Sequence, residues 1–184
     1  MPPSGRTLPH NHQLWTLLTN LGLSSPPLSL TSPSPIPSYA SRFLIFNFIY
    51  AYGILSTRFV KRYYGFDHNA CPRQDVERYG EKMVRDGKIS RGALERVRRM
   101  ENAHANSVEG YAVFVAGVLL ALHAGVPTEK LNGLMAVYSL SRIGFGLAYV
   151  FIENEHLALV RTVFWYAAQI SCITMMAMAG KMMR

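Results

Sequence analysis

The chain is poor in cysteine, since Cys71 and Cys172 are the only two among its 184 residues. One lies in a polar segment and the other inside an apolar block, a distribution that does not indicate the disulfide framework of a small secreted domain. His68 and Cys71 form a single potential ligand pair with no second pair at usable spacing. The sequence therefore predicts no metal site.

Charge is also scarce over long stretches. Residues 39–57 and 105–184 together hold only ten charged side chains, whereas the segment from Arg58 to His104 holds 19 of the 30 in the chain. Apolar blocks of this length are too long for a water-soluble protein of this size. The sequence therefore predicts an integral membrane protein.

The N-terminal 38 residues lack acidic side chains and contain one basic side chain, Arg6, while eight of the ten prolines fall in the first 37 residues. The low-complexity run from Ser24 to Ser38 cannot form a packed core. The apolar run from Leu14 to Leu23 lacks the strongly basic flank of a signal peptide. We expect residues 1–38 to be a disordered Pro/Ser-rich extension and residues 39–184 to form one domain.

Four apolar stretches are each about 20 residues long, enough for an α-helix to cross a hydrocarbon core of roughly 30 Å. Isolated spans must be helical, because backbone polar groups find no partners in lipid. The predicted fold class is therefore all-α, an integral membrane four-helix bundle. Its predicted spans are residues 41–60, 105–125, 131–152 and 156–180.

Twelve Lys and Arg residues lie between Arg58 and Arg99, in the loop that joins the first two spans. The positive-inside rule places this loop, about residues 61–104, in the cytosol and both termini in the lumen. The same rule accounts for the basic composition, which seven acidic residues in the loop dilute. The expected partner is therefore the lipid bilayer and not a nucleic acid.

A few polar side chains interrupt the spans, and such residues usually mark a functional site or a pairing. Helix spacing places Asn106 and Glu109 on one face and Arg142 and Tyr149 on another. With Arg161 they lie at converging depths, so that one polar pocket open to the cytosol could contain all five. The alternative is an ion pair between Glu109 and Arg142 that only stabilises the bundle.

Four motifs lie within residues 43–180. They are Ala103 to Glu109 (AHANSVE), Ser141-Arg142-Ile143 followed by Tyr149 seven residues after the arginine, Arg161-Thr162, and Ala168 to Cys172 (AQISC). Together these motifs resemble the MAPEG family, the membrane-associated proteins in eicosanoid and glutathione metabolism. Tryptophan four residues after Arg161 is similar to the less characterised bacterial and fungal branch of the family.

The resemblance implies a homotrimer in the endoplasmic reticulum or another internal membrane, with glutathione bound between subunits on the cytosolic side. It implies a glutathione-dependent transferase or peroxidase that acts on lipophilic electrophiles or lipid hydroperoxides. The implied catalytic residue is Arg161, because a cation near a thiol favours the nucleophilic thiolate. The implied glutathione-binding residues are Arg58, Asn106, Glu109, Arg142, Tyr149, Thr162 and Trp165.

A second function class stays open, a non-catalytic lipid-binding scaffold, because the family also includes an activating protein for leukotriene synthesis that lacks transferase activity. Asn102, Val113 and Trp165 stand where well-characterised members carry arginine, proline and tyrosine, which favours the scaffold. Retention of Glu109, Arg142 and Arg161 favours the enzyme. A channel subunit is less well supported, because a pore requires a continuous polar lining from one side of the membrane to the other.

Overall fold

The structure is a computed structural model and describes residues 10–23, 36–154 and 159–184. All regular elements within these ranges are helical. They are α1 (His10–Asn20), α2 (Ala40–Phe48), a π-helical segment (Ile49–Ile54), α3 (Arg58–Tyr63), α4 (Asp75–Arg85), α5 (Arg91–His123), α6 (Thr128–Phe151) and α7 (Leu159–Met182).

Within the described part of the chain, four helical segments are long and apolar enough to cross a membrane. They are Ala40–Tyr63, Arg91–His123, Thr128–Phe151 and Leu159–Met182. This arrangement confirms the predicted all-α integral membrane fold. The first residues of the predicted fourth span, 156–158, lie outside the described residues.

Helix α5 is longer than the span predicted within it, because the charged run that starts at Arg91 continues into the apolar part without a break. Ser90 caps its first turn, with its hydroxyl oxygen accepting from the Ala93 N–H at 3.1 Å. At 1.5 Å per residue, the part before Ala105 extends the helix by roughly 21 Å. This extension supports the loop between the first two spans.

Residues 58–101 form a small folded unit, called the loop unit below, instead of an open loop. Its buried apolar core consists of Phe66, Val76, Met83, Ile89, Leu94 and Val97. Helix α4 packs closely on α5, since a Cβ on Gly80 would lie 2.5 Å from Leu94 Cδ1. The buried Lys61 donates to the Pro72 carbonyl and to Glu101, 2.9 Å away. These contacts hold the part of the loop unit before α5 against the N-terminal part of α5.

The main core lies where α5, α6 and α7 meet. Phe114 and Tyr138 stack with their ring centroids 4.0 Å apart, and Cys172 and Met175 of α7 pack against them. A Cβ on Gly117 would lie 3.5 Å from the Cys172 carbonyl oxygen, so the glycine lets two backbones approach. Close approach of this kind is a main source of helix association in lipid.

Asn47 attaches α2 to this core. It is the one strongly polar residue in the interior of the first predicted span. It is 3% exposed, and its amide donates to the Ser139 hydroxyl at 2.7 Å and to the Phe43 carbonyl at 2.9 Å. Both amide hydrogens are therefore used, so the residue has a structural role.

The N-terminal residues 10–23 differ from the expected disordered extension, because they form α1 and a turn that contacts the start of α6. The helix was not predicted because residues 1–38 as a whole are rich in proline and serine. Its apolar run packs against residues distant in sequence, those of α6. Residues 1–9 and 24–35 of the expected extension lie outside the described residues.

Candidate functional site

A cavity of about 490 Å³ lies between α5, α6 and α7, at the end of the bundle that carries the loop unit. The last turns of α6 and the first turns of α7 form most of its wall, and α5 contributes one residue. The lining residues are Asn106, Phe145, Tyr149, Leu159, Arg161, Thr162, Trp165 and Tyr166. Five of the eight residues implied by the sequence therefore line one cavity.

Asn106 reaches the cavity from α5 and is held from behind by Arg142 of α6. The Arg142 guanidinium donates from Nη2 to Asn106 Oδ1 and to the Ser107 hydroxyl, both at 3.0 Å. Because a guanidinium can only donate, the oxygen of the Asn106 amide must face it. The amide nitrogen of Asn106 has no partner within the described residues, so it can donate to a ligand.

Arg142 itself lies behind the cavity wall and is 2% exposed. Its Cζ lies 4.7 Å from the centroid of the Phe145 ring, a cation–π contact. Its Nη1 is buried without a hydrogen-bond partner, and no carboxylate within the described residues pairs with it. A buried cation without a carboxylate is costly within a membrane, and so this part of the site favours an anionic ligand.

Among the described residues that line the cavity, Arg161 carries the charge. It comes from the first turn of α7, and its Cζ lies 4.6 Å from the centroid of the Tyr149 ring on α6. This cation–π contact joins the two helices across the cavity and orients the guanidinium. Thr162 and Trp165 follow on the same helix and complete that wall.

Glu109 does not join the cavity in the single chain. Its side chain is exposed on α5, and among the described residues no ion pair links it to Arg142. The alternative in which Glu109 and Arg142 lock the bundle is therefore wrong. Residues three apart on a helix point about 60° apart, which is enough to turn Glu109 outward while Asn106 faces inward.

Arg58 also lies away from the cavity, in the loop unit. Its guanidinium lies 3.4 Å from Asp67 and donates to Asn69 Oδ1 at 2.6 Å. Burial alone would raise the pKa of the Asp67 carboxyl, but the hydrogen bonds and charges of Arg58 and Arg62 outweigh it and hold that pKa below its ordinary value. In this arrangement Arg58 stabilises the loop unit.

Sequence reasoning missed three lining residues, Phe145, Leu159 and Tyr166. Phe145 could have been found, because it lies three residues after Arg142 and four before Tyr149 and so shares their helix face. Leu159 and Tyr166 of α7 carried no comparable signal, since apolar and aromatic residues occur throughout the spans. Among the described residues, no group of three His, Cys, Asp or Glu side chains could hold a metal ion.

Comparison with known proteins adds one match. The family model of the MAPEG family matches residues 36–181. This range includes the first three membrane spans, the fourth except for its last residue, the loop unit and all eight implied site residues, but not α1. No curated protein and no solved structure matches the chain significantly. Because the family match covers most of the 184 residues, the chain belongs to the MAPEG family.

Proposed function

We propose that the protein is a membrane-bound glutathione-dependent transferase or peroxidase that acts on lipophilic electrophiles or lipid hydroperoxides. Membership of the MAPEG family supports a glutathione-related or eicosanoid-related function in a membrane. The proposal of a transferase or peroxidase activity rests on the cavity in which Asn106, Arg161 and Thr162 lie together between three helices.

The cavity suits a charged peptide of the size of glutathione. Its volume of about 490 Å³ falls in the usual range for small-molecule sites. At neutral pH glutathione carries two carboxylates, an ammonium group and a thiol. The free amide nitrogen of Asn106 would donate to a carboxylate, and the positive charge of Arg142 behind it would favour the same anionic group.

Arg161 and Thr162 are proposed to favour the thiolate form of the cosubstrate. A neighbouring cation lowers the pKa of a thiol below its free value of about 8.5, and a hydroxyl donor stabilises the sulfur anion further. The thiol proton passes to water, the sulfur bonds to the electrophilic carbon, and the electron pair of the broken bond stays with the leaving group. With a hydroperoxide, two glutathione molecules are oxidised to the disulfide while the peroxide is reduced to an alcohol and water.

The lipophilic substrate is proposed to enter from the bilayer. Leu159 and Tyr166 line the cavity and are also 68% and 57% exposed on the outer surface of α7. Val163, between them in sequence, is 67% exposed. An apolar molecule dissolved in lipid would therefore meet the cavity mouth without crossing water.

The cavity lies at the bundle end that carries the basic loop unit, and the positive-inside rule assigns this end to the cytosol. We place the protein in the endoplasmic reticulum or another internal membrane, as a homotrimer with both termini in the lumen. A second copy packed on α5 would cover the exposed Glu109. Its carboxylate would then be available to the ammonium group of a ligand bound between subunits.

The test measures glutathione binding by calorimetry and conjugation of a lipophilic electrophile by detergent-purified protein. Arg161→Leu is expected to lower kcat/KM about 25-fold at neutral pH, because a rise of about 2 in the pKa of the bound thiol, to the free value of about 8.5, lowers the thiolate fraction from about three quarters to about 3%. Arg42→Leu is the matched control, because Arg42 stacks over Tyr39 at 5.4 Å at the other end of the bundle. Undiminished turnover in Arg161→Leu would remove Arg161 from the mechanism.

The second candidate is a non-catalytic lipid-binding scaffold, and the outward position of Glu109 favours it. Among the described residues that line the single-chain cavity, Arg161 is the charged one, and the others are largely aromatic and apolar. A scaffold would bind a lipophilic ligand but give neither heat of binding nor turnover with glutathione. That outcome would replace the enzyme by the scaffold.

A further inference from the structure

The turn that follows α1 is attached to the first turns of α6 by one buried side chain. Asn132 is fully buried, and its amide nitrogen donates to the Asn20 and Pro37 carbonyls, each at 2.9 Å. Its amide oxygen accepts from the Tyr39 N–H at 3.0 Å. One side chain therefore joins the end of α1, the segment before α2 and the start of α6.

Two glycines allow this attachment. Gly133 has no room for a Cβ, because one would collide with the Leu21 carbonyl oxygen. Gly22 adopts φ +70°, in the left-handed region, and a Cβ there would lie 3.0 Å from the Glu129 carbonyl oxygen. The backbone after α1 thus lies directly against α6, so the position of the helix end is fixed.

The other face of this fixed segment is apolar, and none of the residues that the structure describes covers it. Leu14, Trp15 and Leu17 are 59%, 56% and 53% exposed, and Leu23 in the turn is 67% exposed. No Lys, Arg, Asp or Glu occurs in α1. An apolar surface of this kind is unfavourable in water and requires a covering phase or partner.

The level of α1 indicates what covers it. Its end contacts Asn132, four residues into α6, and Tyr39, immediately before α2, so it lies at the ends of two membrane spans. This boundary between hydrocarbon and headgroups is where tryptophan and short apolar helices with a polar remainder are favoured. It is the bundle end opposite the cavity.

We propose that α1 is an interfacial membrane helix, with Leu14, Trp15 and Leu17 inserted among the lipid headgroups and upper acyl chains on the side opposite the cavity. The family match begins at residue 36, so α1 belongs to the part of the chain outside it. The inference is independent of the proposed glutathione chemistry.

Fluorescence of Trp15 tests the proposal, because Trp165 is the other tryptophan in the chain. Full-length Trp165→Phe protein, in which Trp15 is the sole tryptophan, is reconstituted into phosphatidylcholine vesicles with and without lipid brominated on its acyl chains. We expect emission at shorter wavelength than for tryptophan in water, loss of fluorescence with brominated lipid and little quenching by iodide. The Trp15→Phe protein, which reports Trp165, calibrates the quenching expected for a residue within a span.

A control variant with a less apolar α1 makes the outcome decisive. Replacing Leu14 and Leu17 by serine is expected to weaken quenching by brominated lipid and to strengthen quenching by iodide, while circular dichroism checks that the bundle stays helical. Quenching of Trp15 by iodide alone would show a helix in water and overturn the proposal. Quenching by neither agent would show a protein contact, such as a second copy, and would equally overturn it.

Discussion

Two asparagines at opposite ends of the bundle differ in how far their hydrogen bonds are satisfied. Asn132, at the α1 end, uses its oxygen and both amide hydrogens within the chain. Asn106, at the cavity end, uses its oxygen on Arg142 and keeps its amide nitrogen for the cavity. A polar side chain in a membrane protein whose hydrogen bonds are all made within the chain stabilises the fold, whereas one with an unpaired donor points to a ligand.

The same contrast separates two stacked arginines. Arg42 lies over Tyr39 on the outer surface of the first span, whereas Arg161 lies over Tyr149 in the wall of a cavity. Both are cation–π pairs of similar length, so the contact type alone does not identify a site. The surrounding volume and the neighbouring donors make the difference.

The largest effect on stability is expected from Asn132→Ala. It removes three hydrogen bonds at a fully buried position, and the expected loss is about 2 kcal/mol in the free energy of unfolding. Thermal unfolding in detergent measures it. Glutathione affinity should remain unchanged, and a large loss of affinity would contradict the separation of the two ends.

Asn106→Ala is expected to show the reverse pattern. Loss of one hydrogen bond to a charged ligand weakens binding about tenfold, since 1.4 kcal/mol corresponds to a factor of ten. Calorimetry with glutathione measures the change. If the variant instead unfolds as readily as Asn132→Ala and binds normally, Asn106 is a structural residue.

A smaller effect is expected from Thr162→Val, which keeps the side-chain shape and removes the hydroxyl from the cavity. The loss of one donor to the thiolate should lower kcat about threefold to tenfold with little change in KM. Thr174→Val is the matched control, because Thr174 lies on the same helix and does not line the cavity. Equal effects of the two variants would remove the hydroxyl from the chemistry.

The smallest effect concerns the loop unit and pH. The folded Asp67 carboxyl has a pKa below its ordinary value of 3.8, so its stabilisation is complete above that pH and is lost as pH falls through the lowered folded pKa. Limited proteolysis of the loop between neutral pH and pH below 3.8 measures this loss. Asp67→Asn should weaken the loop at neutral pH and flatten the pH dependence, whereas Glu77→Gln, an exposed carboxylate of α4, should change neither.

Hydropathy predicted the spans, and counting along the helices predicted one pocket for Asn106, Glu109, Arg142, Tyr149 and Arg161. The structure brings Asn106, Tyr149 and Arg161 together in the cavity, with Arg142 behind its wall. Thr162 and Trp165 were implied by the family resemblance alone. The sequence did not predict how each helix is rotated against its neighbours. That rotation depends on packing at residues such as Gly110, where a Cβ would lie 3.4 Å from Arg142 Cζ. For this reason Glu109 was expected to share a pocket with Asn106, whereas in the single chain it faces outward.

The loop unit and α1 were also beyond sequence reasoning. The charged composition of residues 58–101 concealed a core of six apolar side chains, which contact one another only after α4 folds back on α5. The helix α1 was not predicted because the residues around it are rich in proline and serine. Its contacts are made with residues more than a hundred positions away, as in the hydrogen bond between Asn20 and Asn132. Long-range contacts of this kind leave no local periodicity to detect.

The most direct measurement of the central claim is an ultraviolet titration of glutathione bound to the purified protein, which follows thiolate absorbance with pH. We expect a saturable thiolate signal at neutral pH in the wild type and in Arg42→Leu. In Arg161→Leu the signal should emerge only as the pH approaches about 8.5, the value of a free thiol. The same titration curve for wild type and Arg161→Leu, or no bound thiolate in either, would contradict the assignment of this cavity to thiolate chemistry.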